Sequence, residues 1–147
     1  MKGTYRGSCH CGAVRFACDI DLPSRPPAAW SPDDRYAWTY KCNCTFCTKT
    51  RYWKLFVPDA AFRLETGEDA LGDYQFGSKM VHHRFCKRCG VAPFGTTDLD
   101  VMGGAFHAIN LGCLDDVRPE DLMTLPVRYE DGRHDAWDRE PAETRHL

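Results

Sequence analysis

Seven of the chain's nine cysteines stand in three tight clusters, Cys9-His10-Cys11-Gly12, Cys42-Asn43-Cys44-Thr45-Phe46-Cys47 and Cys86-Lys87-Arg88-Cys89-Gly90. Any fold this chain adopts has to make that spacing useful. Zinc holds thiolates at about 2.3 Å in a tetrahedron, so its sulfurs stand roughly 4 Å apart, which a tight CxC or CxxC turn supplies. A glycine after the pair helps, because it takes positive φ and frees backbone N–H groups to point at sulfur. Gly12 and Gly90 stand at those places. One CxxC alone reads equally well as a redox pair, but nothing around these clusters has the βαβ setting of a thioredoxin motif. Seven thiolates also exceed what one tetrahedral ion can use.

The ligand arithmetic separates two kinds of site. Two pairs close one structural site, whereas Cys42, Cys44 and Cys47 offer three ligands from one short segment and leave the fourth position to water or substrate. The alternative is that His10, His82, His83 or a distant cysteine completes the triplet. Spacing alone also leaves open whether Cys86 and Cys89 join Cys9 and Cys11 or another pair.

A length of 147 residues suits one domain spanning 1–147, with a core over about 3–130 and a polar, loosely held tail beyond it. With 43% hydrophobic and 27% charged residues, the chain has enough apolar surface to offset ordering entropy. A net charge of -2 argues against a nonspecific grip on nucleic acid, which needs a dense excess of Lys and Arg. Met1 to Ile20 shows no long apolar stretch behind a basic start, so it matches neither a secretory signal nor a membrane span. No membrane partner and a cytoplasmic location are therefore expected, and in a reducing compartment clustered cysteines serve metals or catalysis more often than disulfides.

Residues 13–18 alternate as a half-buried strand does, with Val14, Phe16 and Cys18 on one face. Leu22 to Pro32 holds four prolines and reads as a surface loop. Short aromatic or β-branched runs follow at 36–41, 52–57, 62–66, 74–76, 80–85, 105–111 and 127–130, which predicts a mainly β domain. Helical turns are predicted only around 58–62 and 119–123, where Pro stands in a first turn followed by acidic residues.

Gly7-Ser8-Cys9-His10-Cys11-Gly12-Ala13-Val14-Arg15-Phe16, Cys42 to Lys49, Phe85 to Val91 and Asn110 to Asp115 together resemble the family of glutathione-dependent formaldehyde-activating enzymes. The resemblance spans about residues 3–130. It implies a small, zinc-stabilised antiparallel β fold of the Mss4-like type. It further implies two zinc ions, one structural at Cys9, Cys11, Cys86 and Cys89 and one catalytic at Cys42, Cys44 and Cys47. Val57-Pro58, Gly67-Glu68-Asp69-Ala70-Leu71 and Phe85 to Val91 look more like the centromere protein V branch of that family than the founding enzyme. The bulky run Arg51-Tyr52-Trp53 departs from the small residues of many members, so contacts to glutathione are not carried over.

An open zinc position suits a thiol, because the metal favours the thiolate, the form that attacks electrophiles. The expected function is that of a carbon–sulfur lyase acting on the adduct of glutathione, or another thiol, with formaldehyde or another small electrophile. The alternative is a non-catalytic binding module in which zinc only stabilises the chain. Lys41, Lys49, Arg51 and Lys54 form a basic patch that either attracts glutathione's carboxylates or balances the thiolates' charge. His82, His83 and His107 are nominal proton-transfer groups; the first two, adjacent in a predicted strand, should face opposite sides. Cys18 and Cys113 read as buried and unligated. Tyr36, Trp38, Tyr40, Tyr52, Trp53 and Phe56 either wall a cleft or belong to the core.

Overall fold

The computed structural model describes residues 1–23 and 25–147. Ser24, inside the segment expected to be a surface loop, lies outside the described residues. Two sheets carry the structure. The smaller has strand order β1-β2-β5, built from β1 (Lys2–Ser8), β2 (Arg15–Asp21) and β5 (Phe62–Thr66). The larger is assembled from β3 (Thr39–Cys42), β4 (Trp53–Pro58), β6 (Leu71–Tyr74), β7 (Val81–Cys86), β8 (Phe94–Leu99), β9 (Gly104–Asn110) and β10 (Val127–Glu130), in the order β10-β3-β4-β9-β8-β7-β6. The predicted mainly β, antiparallel class is what the structure shows, with one exception: β10 runs parallel to β3 and sets Glu130 opposite Cys42.

Alternation places the core. Phe16, Cys18 and Ile20 of β2 point inward while Arg15, Asp19 and Asp21 face out, the period of a half-covered strand. Phe16 meets Phe62 and Phe94 at ring-centroid distances of 5.7 Å each, so one aromatic trio joins the two sheets. Leu55, Val57, Ile109 and Leu111 fill the same buried cluster.

Several expectations shift at their edges. Residues 32–37 form a 3-10 turn, and β3 begins only at Thr39. Pro32 and the acidic Asp33 and Asp34 favour that turn, and the Ser31 hydroxyl donates to Asp34 at 2.6 Å. The proline-rich loop starts from buried residues, Leu22 and Pro23, rather than from the surface. β1 and β8 were not expected, because Gly3 and Gly7 in the first and Gly95, Thr96 and Thr97 in the second break apolar alternation. Helix α1 (Thr45–Thr50) was also not expected, whereas α2 (Pro119–Leu122) falls where Pro and acidic residues predicted it.

The segment after β10 is pinned rather than loose. Ala136 bridges to Asp131, Pro141 is buried, and Lys41 Nζ donates to the main-chain oxygen of Leu147 at 3.0 Å.

Candidate metal centres

Two turns from different sheets build the four-cysteine cluster. Cys9 and Cys11 follow β1, while Cys86 ends β7 and Cys89 lies in the turn after it. The four sulfurs lie within 4.8 Å of one another, with Cys9–Cys11 and Cys11–Cys86 both at 3.7 Å. Four bonds of about 2.3 Å in a tetrahedron put neighbouring sulfurs about 3.8 Å apart, so the set fits zinc. It is too long for a disulfide, which needs about 2.05 Å, and all nine cysteines are free. Gly12 and Gly90 adopt φ of +74° and +79°, as the turn chemistry required. The Val14 N–H reaches Cys9 Sγ at 3.3 Å. Desolvation pushes the Cys89 thiol up, but N–H groups of Val91 and Cys11 and its neighbouring sulfurs outweigh it and bring the thiol down to about 6.

The triplet is assembled where β3 hands over to α1. Cys42 closes the strand, Cys44 is the helix N-cap and Cys47 lies in the first turn. Cys44 N–H donates to Cys42 Sγ and Cys47 N–H to Cys44 Sγ, each at 3.4 Å. Hydrogen bonds from Cys42 and Cys47 pull the Cys44 thiol far down, and contacts with Cys42 and Cys44 push Cys47 far up. Three sulfurs within 4.8 Å of one another are an arrangement in which a divalent cation can take the place of their protons. Among the described residues, the group of metal-ligating side chains here consists of Cys42, Cys44 and Cys47.

The layer behind the triplet comes from the end of β10. Glu130 stands opposite Cys42, and its carboxylate lies 2.7 Å from Lys54 Nζ. Asn43, the residue between the first two ligands, donates to buried Asp131 at 2.7 Å and accepts from Arg133 N–H at 2.9 Å. Asp131 also takes His134 at 2.7 Å and Arg139 at 2.9 Å. At Gly132 an added methyl would sit 2.5 Å from Cys42 Sγ and 2.6 Å from the Trp137 ring. Sequence reasoning missed Asn43, Glu130, Asp131 and Gly132 as parts of the site. Asn43 carried a signal by its place in the cluster; the other three carried none.

A cavity of about 180 Å³ opens beside Cys42 and Cys47, with Lys41, Arg51, Tyr52, Trp53 and Leu147 on its walls. The predicted basic patch therefore divides. Lys41 and Arg51 reach the cavity, where main-chain oxygens of Leu147 and His146 accept from them. Lys49 is exposed and does not line it, and Lys54 is paired with Glu130.

The adjacent histidines face apart as expected. His83 lies against Phe46 of α1 at 4.0 Å between centroids, while His82 engages Asp73 at 2.6 Å. Burial lowers the pKa of His83, as it does for His107, which stacks on Phe62 at 3.8 Å. His10 is exposed. Burial pushes the Cys18 and Cys113 thiols up to about 12, in keeping with unligated core cysteines. Of the aromatics, Tyr52 and Trp53 wall the cavity, Tyr40 packs on Phe56 at 4.6 Å, and Tyr36 and Trp38 stand half-buried outside its lining.

A sequence model of the family described as glutathione-dependent formaldehyde-activating enzyme matches residues 4–126. Among solved structures, the crystal structure of a Rhodobacter sphaeroides protein is similar, with a TM-score of 0.62 and 25% sequence identity. The match covers 84% of this chain and 99% of that one.

Proposed function

The chain belongs to the family of glutathione-dependent formaldehyde-activating enzymes, and on that premise we propose that it is a carbon–sulfur lyase-type enzyme handling the adduct of a thiol, glutathione in the first instance, with formaldehyde or another small electrophile. In the forward direction the sulfur lone pair forms a C–S bond to the carbonyl carbon, the C=O π pair moves to oxygen, and that oxygen takes the proton the thiol gave up. The reverse direction cleaves the same C–S bond. Zinc bound by Cys42, Cys44 and Cys47 would act as a Lewis acid favouring the thiolate form of the substrate. Lys41 and Arg51 would orient the thiol's carboxylates, and the walls of Tyr52 and Trp53 would limit water.

The observation that carries this reading is the cavity beside Cys42 and Cys47 with two cations on its walls. In the same reading Cys9, Cys11, Cys86 and Cys89 hold a second, structural zinc, and residues 1–147 act as one domain. A cytoplasmic setting agrees with nine free cysteines, and no helix among the described residues is long and apolar enough to cross a membrane. The test is a glutathione titration of cobalt-substituted protein. Thiolate-to-metal absorption should change at millimolar thiol in the native protein and stay flat in Cys42→Ala. A silent native spectrum overturns the proposal and leaves both clusters as structural elements.

A further inference from the structure

Lys54, unlike Lys49, is a buried member of the basic patch that the cavity does not use, and its placement is costly. Its side chain is only 13% exposed, as is 11% of its partner Glu130. Burying an ammonium and a carboxylate costs several kcal/mol per ion, and such a pair often stabilises a fold less than apolar residues of the same volume. Its location accounts for it. Lys54 pairs with Tyr40 across β3–β4, two residues from Cys42, and Glu130 pairs with Cys42 itself across β3–β10. The two charged groups and the first cysteine of the triplet therefore share one face of the sheet. Glu130 Oε2 meets Lys54 Nζ off the ideal hydrogen-bond direction, so the contact is one of charge. The rings of Phe56 and Trp137 flank the ammonium at 5.6 and 5.9 Å, which confines it further.

We propose that Lys54, braced by Glu130, is a positioning residue of the Cys42, Cys44 and Cys47 centre, the buried cation that faces its sulfurs. This rests on the reading that the triplet holds a divalent cation. Three thiolates and a divalent ion sum to one negative charge, the Glu130 carboxylate adds a second, and an incoming thiolate makes three, with Lys54 the buried cation among them. In a low-dielectric setting that surplus opposes both metal retention and the fourth ligand unless a cation faces it. The Glu130 carboxylate at 2.7 Å keeps the side chain an ammonium: a fixed charge, not a base.

The test is a chelator competition on the full chain, with Cys47→Ser marking the contribution of the four-cysteine cluster. Lys54→Met should weaken zinc binding at the triplet at least tenfold, leave the other cluster unchanged, and raise the half-saturating glutathione concentration in the cobalt titration. Lys54→Arg should keep most of the affinity. Lys54→Met combined with Glu130→Met removes the buried pair and should fold at least as well as the native chain, yet show the same tenfold loss, which separates charge from folding. Native-like zinc affinity in the double variant overturns the role of Lys54 alone. A native chain that loads only the four-cysteine cluster overturns the underlying reading, and this inference with it.

Discussion

Gly132 offers the Cys42 sulfur nothing but hydrogen, and no other residue type fits that approach. Gly132→Ala should displace Cys42 Sγ or Trp137; with zinc at both clusters, as proposed above, it should empty the triplet alone, and elemental analysis should find roughly half the native zinc. Asp131 governs the same loop through charge. The Asn43 amide, with His134 and Arg139 beside it, holds the Asp131 carboxyl at about 2 against the upward push of desolvation. In the unfolded chain an aspartate titrates near ~3.9. The folded pKa is the lower one, so the stabilisation is fully present above about pH 4 and is lost as pH falls through about 2. Asp131→Asn should melt earlier than the native protein at neutral pH, and the difference in Tm should close between about pH 4 and pH 2. Nothing near residues 130–132 in the sequence announced these roles. They arise from a pairing with β3 some ninety residues earlier, and local pattern does not encode such a partner.

Helix α1 has six residues, too few to hold itself together in water, and its geometry is set by what surrounds it. Its first turn is closed by the Cys44 sulfur, and its end by Arg51 in a left-handed conformation at φ 53°. That conformation costs a residue with a Cβ about 1–2 kcal/mol, which Arg51→Gly should recover in part, while removing a guanidinium from the cavity wall. We therefore expect a small rise in Tm together with a higher half-saturating glutathione concentration. A loss of stability with unchanged thiol binding would remove Arg51 from the site. The sequence made the cysteine spacing plain but not this helix, because CTFCTKT lacks an apolar period and has no room for one. Strands with clear alternation or aromatic content, such as β4, β5 and β10, were legible. β8 was not, since buried Thr97 is satisfied by bonding Met80 O at 2.8 Å, a partner only the folded chain reveals.

At the scale of the molecule, the four-cysteine cluster does a different job from the triplet. It ties the β1–β2 turn to the end of β7, and so links the small sheet to the large one alongside the trio of Phe16, Phe62 and Phe94. Cys86→Ser should therefore lower Tm by roughly 10 °C or more, since a few kcal/mol corresponds to that much in a chain of this size. Cys47→Ser should move Tm far less while abolishing the thiol response. Equal losses by calorimetry would mean that both clusters are architectural. The parallel pairing of β3 with β10 also sets an order of assembly. A nascent chain has Cys9, Cys11, Cys86 and Cys89 all in hand once Cys89 has emerged, but the backing for Cys42 waits for Glu130 to Gly132. On the proposed reading, an ion at the four-cysteine cluster can gather its full ligand set during synthesis, before the β10 backing of the triplet exists. Maturation would thereby divide between an early fastening and a late completion.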